Sequence, residues 1–324
     1  THTDLYHQNG FMNNETQNMM NTPMVTVIIP AYRRRNYLFY ALDRILAQKD
    51  VTMEILVFSE VMEPDEVDEV TTSYPQVKYF KTDQYQGASN KRRAGIKMAK
   101  GKYLYLPDDD DYLTDDTFFK KSIDILDQDS SLSLVAADTI ISHEFKDSSK
   151  NYEERRKNDL EGRINGIDYL QGLQITMNKP QSSVSILFRK SALVERDVDS
   201  MYEISDIAMY MNALLWGGAY LIKKPVGVYR FHDGNLTYSL PFSFMFNVIR
   251  EKERIYLDAR KHLPEPDSFW FNHFRISYQF FAEGNKSTKD KLRLLFWGMT
   301  HSHGNKKLAI YIIKQLIKTI VGKH

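Results

Sequence analysis

Short apolar runs alternate with stretches of helical spacing from Val25 to Ala137, and that alternation leaves few folds open. Val25-Thr26-Val27-Ile28-Ile29, closed by Pro30, reads as a buried strand. Asn36 is placed as the N-cap of a helix that carries Leu38, Leu42, Ile45 and Leu46 at helical spacing. Glu54 to Phe58 is a second buried strand, and an acidic stretch with Pro64 opens a short helix. Val77 to Phe80 is a third strand. A helix from Gly87 to Lys100 follows, with Gly101 as its stop. Tyr103 to Leu106 is a fourth strand, Thr114 caps a helix through Leu126, and Leu132 to Ala137 is a fifth strand. A β-α-β-α-β pattern of this kind predicts an α/β fold, a parallel sheet with helices on both faces.

Such sheets bind ligands beyond the carboxyl ends of their strands. Pro30, Ser59-Glu60, Asp83 and four consecutive aspartates, Asp108 to Asp111, all fall there. Adjacent carboxylates repel, and each has its pKa raised unless a positive charge is near. A cluster of this density at a strand end suits Mg2+ or Mn2+, which take carboxylates together with phosphate oxygens. The plainer reading is a solvated acidic turn, with Asp111 serving as cap for the next helix. The flanking strand favours the cation.

The bulk composition sets outer limits. The 324 residues suffice for one large domain or two modest ones. Hydrophobic residues are 42% and charged residues 26%, ordinary for a globular chain. A formal net charge of +1 gives no global field for nucleic acid, so none is expected as a partner. The absence of cysteine removes disulfides, zinc-thiolate sites and thiol nucleophiles, and it fits a reducing cytoplasm. No uninterrupted apolar run is long enough to span a bilayer, and no signal peptide is expected. Residues 1–23 are polar and aperiodic and read as a disordered tail.

Beyond the fifth strand, residues 142–180 are polar and irregular, and Ser183 to Phe188 reads as a strand. Ile207, Tyr210, Met211, Leu214 and Leu215 define a helix ended by Gly217-Gly218, and Ala219 to Ile222 and Val226 to Tyr229 are extended. From about Pro241 the chain is helical and rich in aromatic residues. Its last helix gathers Leu308, Ile312, Ile313, Leu316, Ile317 and Ile320 on one face among lysines. A basic amphipathic helix can lie on anionic lipid, pack on the catalytic domain or join another subunit.

Five segments in this order resemble the family 2 glycosyltransferases of the GT-A fold, over roughly residues 24–235. Val25 to Tyr32 is similar to that family's opening strand and loop. Gln86 to Ile96 is similar to its Gly-x-x-x-x-Arg-Asn-x-Gly helix. Gly101 to Asp111 aligns without a gap to its Gly-x-Tyr-x-x-x-x-Asp-x-Asp-Asp segment. Ile204-Ser205-Asp206 resembles its Glu-Asp pair, and Tyr229-Arg230-Phe231-His232 its Tyr-Arg-x-His element. Three positions depart from the pattern. Ser59-Glu60 replaces two aspartates that meet the nucleobase and ribose, Arg93 replaces the Asn, and Ser205 replaces the Glu before the base.

The resemblance implies a metal-dependent, inverting glycosyltransferase that takes a nucleotide sugar, a UDP-sugar first, and a hydroxyl of a glycan or lipid-linked glycan acceptor. Asp110 is assigned to the metal, with Asp108 toward metal or ribose and His232 at the metal or the diphosphate. Pro30, Tyr32, Glu60, Arg92 and Asp109 are assigned to the nucleotide sugar. Asp206 is the expected catalytic base. An aspartate in a helix's first turn also complements the helix dipole; local sequence alone favours that role, and the resemblance favours catalysis. Three regions are expected: a tail, 1–23; a GT-A domain, 24–238; and a helical region, 239–324, for packing, homo-oligomer formation or contact with the inner face of the cell membrane. Two other readings stand beside this one. A non-catalytic glycan-binding or scaffold subunit is left open by the Ser59-Glu60 and Ser205 departures. A sugar nucleotidyltransferase would need a Gly-rich loop after the first strand, where Ala31-Tyr32-Arg33-Arg34-Arg35 has no glycine.

Overall fold

A computed structural model describes residues 22–32, 34–60, 69–70, 72–82, 87–155, 159–233, 240–284 and 286–322. The tail before Thr22, the helix expected at Pro64, and Asp83 and Gln86 lie outside the described residues.

Four strands form a parallel half-sheet in the order β3-β2-β1-β4: β1 (Val25–Ala31), β2 (Met53–Glu60), β3 (Val77–Thr82) and β4 (Tyr103–Tyr105). Their alternate side chains enter two apolar clusters. Ile28, Leu56 and Leu104 face one side of the sheet, and Val27, Ile29, Val57 and Tyr105 the other. Burial on both faces is why these strands read as unbroken apolar runs. Helix α1 (Arg35–Leu46) follows β1 and buries Leu38, Ala41, Leu42 and Ile45. It starts one residue before Asn36, with Arg34 at the cap position, so Asn36 is not the N-cap.

Helix α2 (Gly87–Met98) lies against β1, where a Cβ on Gly95 would stand 2.4 Å from the Cγ2 of Ile28. The chain then turns at Gly101, whose N–H donates to the Thr26 hydroxyl at 2.8 Å. A Cβ there would lie 2.5 Å from the Thr26 nitrogen. Gly101 therefore does more than end the helix: it lets the backbone pass over the start of β1.

Past β4 the sheet changes character. A two-residue strand β5 (Tyr112–Leu113) precedes helix α3 (Phe118–Gln128) and the long strand β6 (Leu132–Glu144). Thr114 does not cap α3; its N–H and that of Asp115 go to the Val226 carbonyl, at 2.8 and 3.3 Å, which extends the β5 pairing. Residues 142–180 hold β7 (Tyr152–Arg155), β8 (Gly162–Ile164) and α4 (Gly166–Gly172). Ser183–Ser185 is a single 3-10 turn before β9 (Ile186–Arg189), which inserts antiparallel between β4 and β6. A short helix α5 (Lys190–Val194) and helix α6 (Asp206–Trp216) lead into β10 (Gly218–His232). The two extended stretches read separately around Pro225 are this one strand. It runs parallel to β6 with its register broken on either side of Pro225, which has no N–H to give the ladder. The sheet is thus mostly parallel, with β5, β7, β8 and β9 antiparallel.

Four helices close the chain: α7 (Phe242–Ala259), α8 (Pro266–Glu283), α9 (Thr288–Thr300) and α10 (Lys306–Val321). Trp270, Phe274, Leu294 and Ile312 belong to the same apolar cluster as Ile28 and Leu56. The broad stripe on α10 divides in two. Leu308 and Ile312 are buried, whereas Ile313, Ile317 and Ile320 are exposed, Ile320 by 68%. No helix among the described residues is long and apolar enough to cross a membrane.

Gly101→Ala should lower unfolding stability by about 1–3 kcal/mol, because the added methyl meets backbone that cannot swing aside. Urea denaturation monitored by circular dichroism checks this; an unchanged midpoint would mean the turn has room to relax.

Candidate active site

Strand β1 has β2 on one flank and β4 on the other, so the chain reverses its direction of winding between them. The crevice at such a reversal is where an open α/β sheet receives a ligand. Asp108–Asp111 leave β4 at that point. Asp109, Asp110 and Asp111 are buried, while Asp108 keeps 38% of its side chain exposed.

Each carboxylate has its own set of partners, with Arg34 shared between Asp109 and Asp110. One Asp109 oxygen accepts the Tyr32 N–H at 2.8 Å, and the other lies 3.3 Å from Arg34 Nη1. Asp110 contacts the Arg34 guanidinium and lies 3.1 Å from His232 Nε2. Asp111 takes the Ser182 hydroxyl and, at 3.0 Å, the Arg230 N–H. Those bonds tie it to β10 and to the loop before β9, so it is not the cap of the following helix; Thr117 holds that position. Asp108 accepts from Arg92 Nη2 at 2.6 Å.

Arg92 is the link to the second half of the site. It projects from α2 into the interior, donates through Nη1 to the Ile204 carbonyl at 2.9 Å, and places Nη2 3.5 Å from Asp206 Oδ1. Asp206 opens α6 with Ser205 as N-cap, and its Oδ2 accepts the Ser183 N–H at 3.1 Å. Ser183 is fixed in turn by its hydroxyl to the Leu106 carbonyl, 2.7 Å away. About a quarter of the Asp206 side chain stays open, at 23%. Lys179 is also near: burial pulls its ammonium down and the Asp206 charge works against that shift.

The electrostatics follow from this crowding. Burial, then the neighbouring charges of Asp206 and Asp110, pushes Asp108 up to about 6 against the pull of Arg92. Burial and then Asp110 push Asp109 up to about 7. Asp111 is driven well above the usual carboxylate range by burial and by Asp110 and Asp108. Burial opposes the charge on Arg92, yet Asp108, Asp206 and Glu203 outweigh it and raise its pKa.

The cluster fits a divalent cation. Asp108, Asp110 and Asp111 each offer an oxygen, all within 4.8 Å of one another. Both oxygens of Asp111 already have donors, which leaves Asp108 and Asp110 as the better-placed ligands. Hard oxygen donors with charge in excess are what Mg2+ or Mn2+ require.

The remaining sequence assignments are distributed around this corner. Tyr32 is 37% exposed, beside the Lys91 ammonium at 6.0 Å from its ring. Pro30 lies within β1 opposite Phe58, and Glu60 ends β2 opposite Thr82; the Glu60 side chain lies outside the described residues. Sequence reasoning missed Arg34, Ser182, Ser183 and the Arg230 backbone. The run Arg33-Arg34-Arg35 soon after the first strand, set in the sequence against four aspartates after the fourth, was the available signal.

A GT-A transferase fold is what this sheet and its acidic strand end define. The glycosyl transferase family 2 model matches residues 26–215, well over half of the chain, and the chain belongs to that family. An uncharacterized glycosyltransferase of Rickettsia conorii is 32% identical over 116 residues, 35% of this chain and 18% of its own length. The succinoglycan biosynthesis protein ExoO of Rhizobium meliloti is 29% identical over 96 residues, 29% of this chain and 27% of its own. The chain therefore spans less than a third of the length of these curated relatives. Among solved structures, S. aureus TarS 1-349 shares the fold with a TM-score of 0.58 at 14% identity, over 93% of this chain and 92% of that one. The same protein in complex with UDP-GlcNAc gives 0.53 at 14% identity over the same shares.

Protonation of Asp108 competes with a cation, and the cost of holding Asp108 and the adjacent Asp109 charged is relieved when one binds. Because both pKa values are raised, that cost is full above about pH 7, shrinks as the pH falls, and is gone only below about pH 4. Added Mn2+ should raise the melting temperature by several degrees at about pH 8 and by little at about pH 5. Equal thermal shifts at the two pH values would place the cation elsewhere.

Proposed function

We propose that this chain transfers a sugar from a nucleotide-sugar donor, a UDP-sugar first, to a hydroxyl of a glycan, with inversion at the anomeric carbon. The observation that carries this reading is the Arg92 guanidinium set between Asp108 and Asp206. It joins a carboxylate on the donor side to a carboxylate able to act as base, and its charge opposes the rise of the Asp108 pKa. The UDP-GlcNAc complex of TarS supports a uridine donor. The name of the succinoglycan biosynthesis protein supports a polysaccharide acceptor, and a lipid-linked glycan presents the same hydroxyl chemistry.

On this reading Tyr32 stacks on the nucleobase, Pro30 and Glu60 border the nucleoside, and Asp109 fixes the Tyr32 loop through its N–H. A divalent cation, Mn2+ or Mg2+, held by Asp108 and Asp110 would neutralise charge developing on the departing diphosphate oxygen. His232 orients Asp110 and reaches the same corner. Asp206 uses the oxygen not held by Ser183 to take the proton from the acceptor hydroxyl. A single base acting in one displacement leaves the product with inverted configuration. Residues 24–238 are assigned to catalysis and 239–324 to support, with the lysine-flanked outer face of α10 assigned to peripheral contact with a membrane or a second copy.

Asp206→Asn should lower UDP release in the presence of acceptor by about a hundredfold to ten-thousandfold while leaving UDP affinity near that of the wild type. Steady-state release assays together with calorimetry separate the two quantities. Undiminished turnover would remove Asp206 from the chemistry and leave it as a helix-dipole residue.

A further inference from the structure

The loop that delivers Asp206 is held on two sides, and the partners on one side come from the C-terminal helices. On the α2 side, the Ser89 hydroxyl accepts the Ile204 N–H at 2.8 Å, Arg92 donates to the Ile204 carbonyl, and Arg93 donates to the carbonyls of Val198 and, at 2.9 Å, Met201. On the opposite side stands Glu251 of α7, a carboxylate with no exposed surface. Its Oε2 accepts the Tyr202 N–H at 2.8 Å. Its Oε1 accepts Asn212 Nδ2 at 2.8 Å and Arg254 Nη2 at 2.7 Å. Asn212 lies on α6, the helix that Asp206 begins, and its Oδ1 takes a further bond from Arg254 at 3.0 Å.

A buried ion pair of this kind is weak as a stability device, since an apolar replacement of similar volume is often as stable. Stability alone therefore gives little reason for it. What it does accomplish is geometric. One carboxylate fixes the backbone four residues before Asp206 and a side chain two turns after it. We infer that Glu251 is a positioning residue for the base: through Tyr202 and Asn212 it sets the approach of Asp206 to Arg92 and to the incoming hydroxyl. The C-terminal helices thereby belong to the working site although Glu251 touches no reacting atom. This inference rests on the reading of Asp206 as the base.

The test compares the wild type with E251Q, which keeps an oxygen for the Tyr202 N–H, and with the double variant E251M/R254M, which leaves no charge unpaired in the core. UDP affinity, UDP release from UDP-GlcNAc with Mn2+, melting temperature and hydrogen exchange at residues 198–206 are measured on the same preparations. The double variant should fold, bind UDP within about twofold of the wild type, and lose about tenfold or more in kcat at unchanged donor KM. The Tyr202 and Ile204 amides should exchange faster in it. E251Q should restore most of the rate. If the double variant keeps wild-type kcat per folded molecule, or keeps the two amides protected, Glu251 only supports the fold and the inference is overturned. If the wild type neither binds nor releases UDP, the functional reading fails instead, and the exchange experiment still decides whether Glu251 holds the loop.

Discussion

Four carboxylates forced together after β4 are the constraint around which the rest of the molecule is arranged. Left alone they would repel, and burial would make each charge costlier still. The fold answers by bringing partners to all four: Arg92 from α2, Tyr32 N–H and the shared Arg34 from the loop after β1, His232 and the Arg230 backbone from β10, and Ser182 from the segment before β9. These elements come from widely separated parts of the chain. Charge compensation at one corner therefore specifies where they must meet, and the same compensation leaves Asp108 and Asp110 placed to take a cation.

Arg92 extends that logic from Asp108 to Asp206. A guanidinium is planar and remains charged when buried, so it can hold two carboxylates and a carbonyl in fixed directions at once. Lysine at this position would supply the charge without the geometry. Glycine at position 95, one turn further along α2, lets the helix sit close enough to β1 for Arg92 to reach its partners.

Much of this was legible in the sequence because it depends on local pattern. Short apolar runs marked β1 to β4 and β6, and the acidic run after β4 marked the ligand end of the sheet. What was not legible depended on partners far along the chain. Asp110 and Arg34 are 76 residues apart, and Asp111 and Arg230 are 119. Neither Ser182 nor Ser183 carries a local signature, and Glu251 reads as an ordinary helix carboxylate until Tyr202 is seen against it. The misplaced caps have the same origin. Thr114 has the right chemistry to start a helix, but the Val226 carbonyl captures its N–H first. Asn36 was preferred by intrinsic tendency, whereas α1 begins at Arg35, beside the residue that Asp109 and Asp110 attract.

The divided stripe on α10 has a practical bearing on how the polypeptide behaves in a tube. One row of its aliphatic side chains is spent on the helical core, and a second row, Ile310, Ile313, Ile317, Ile320 and Val321, faces water. With a formal net charge of +1 and an isoelectric point near 7.8, molecules at neutral pH have almost no long-range repulsion to keep such rows apart. Colloidal stability at high concentration then rests on the few lysines beside that row, so buffers well below the isoelectric point and modest ionic strength will favour dispersed solutions.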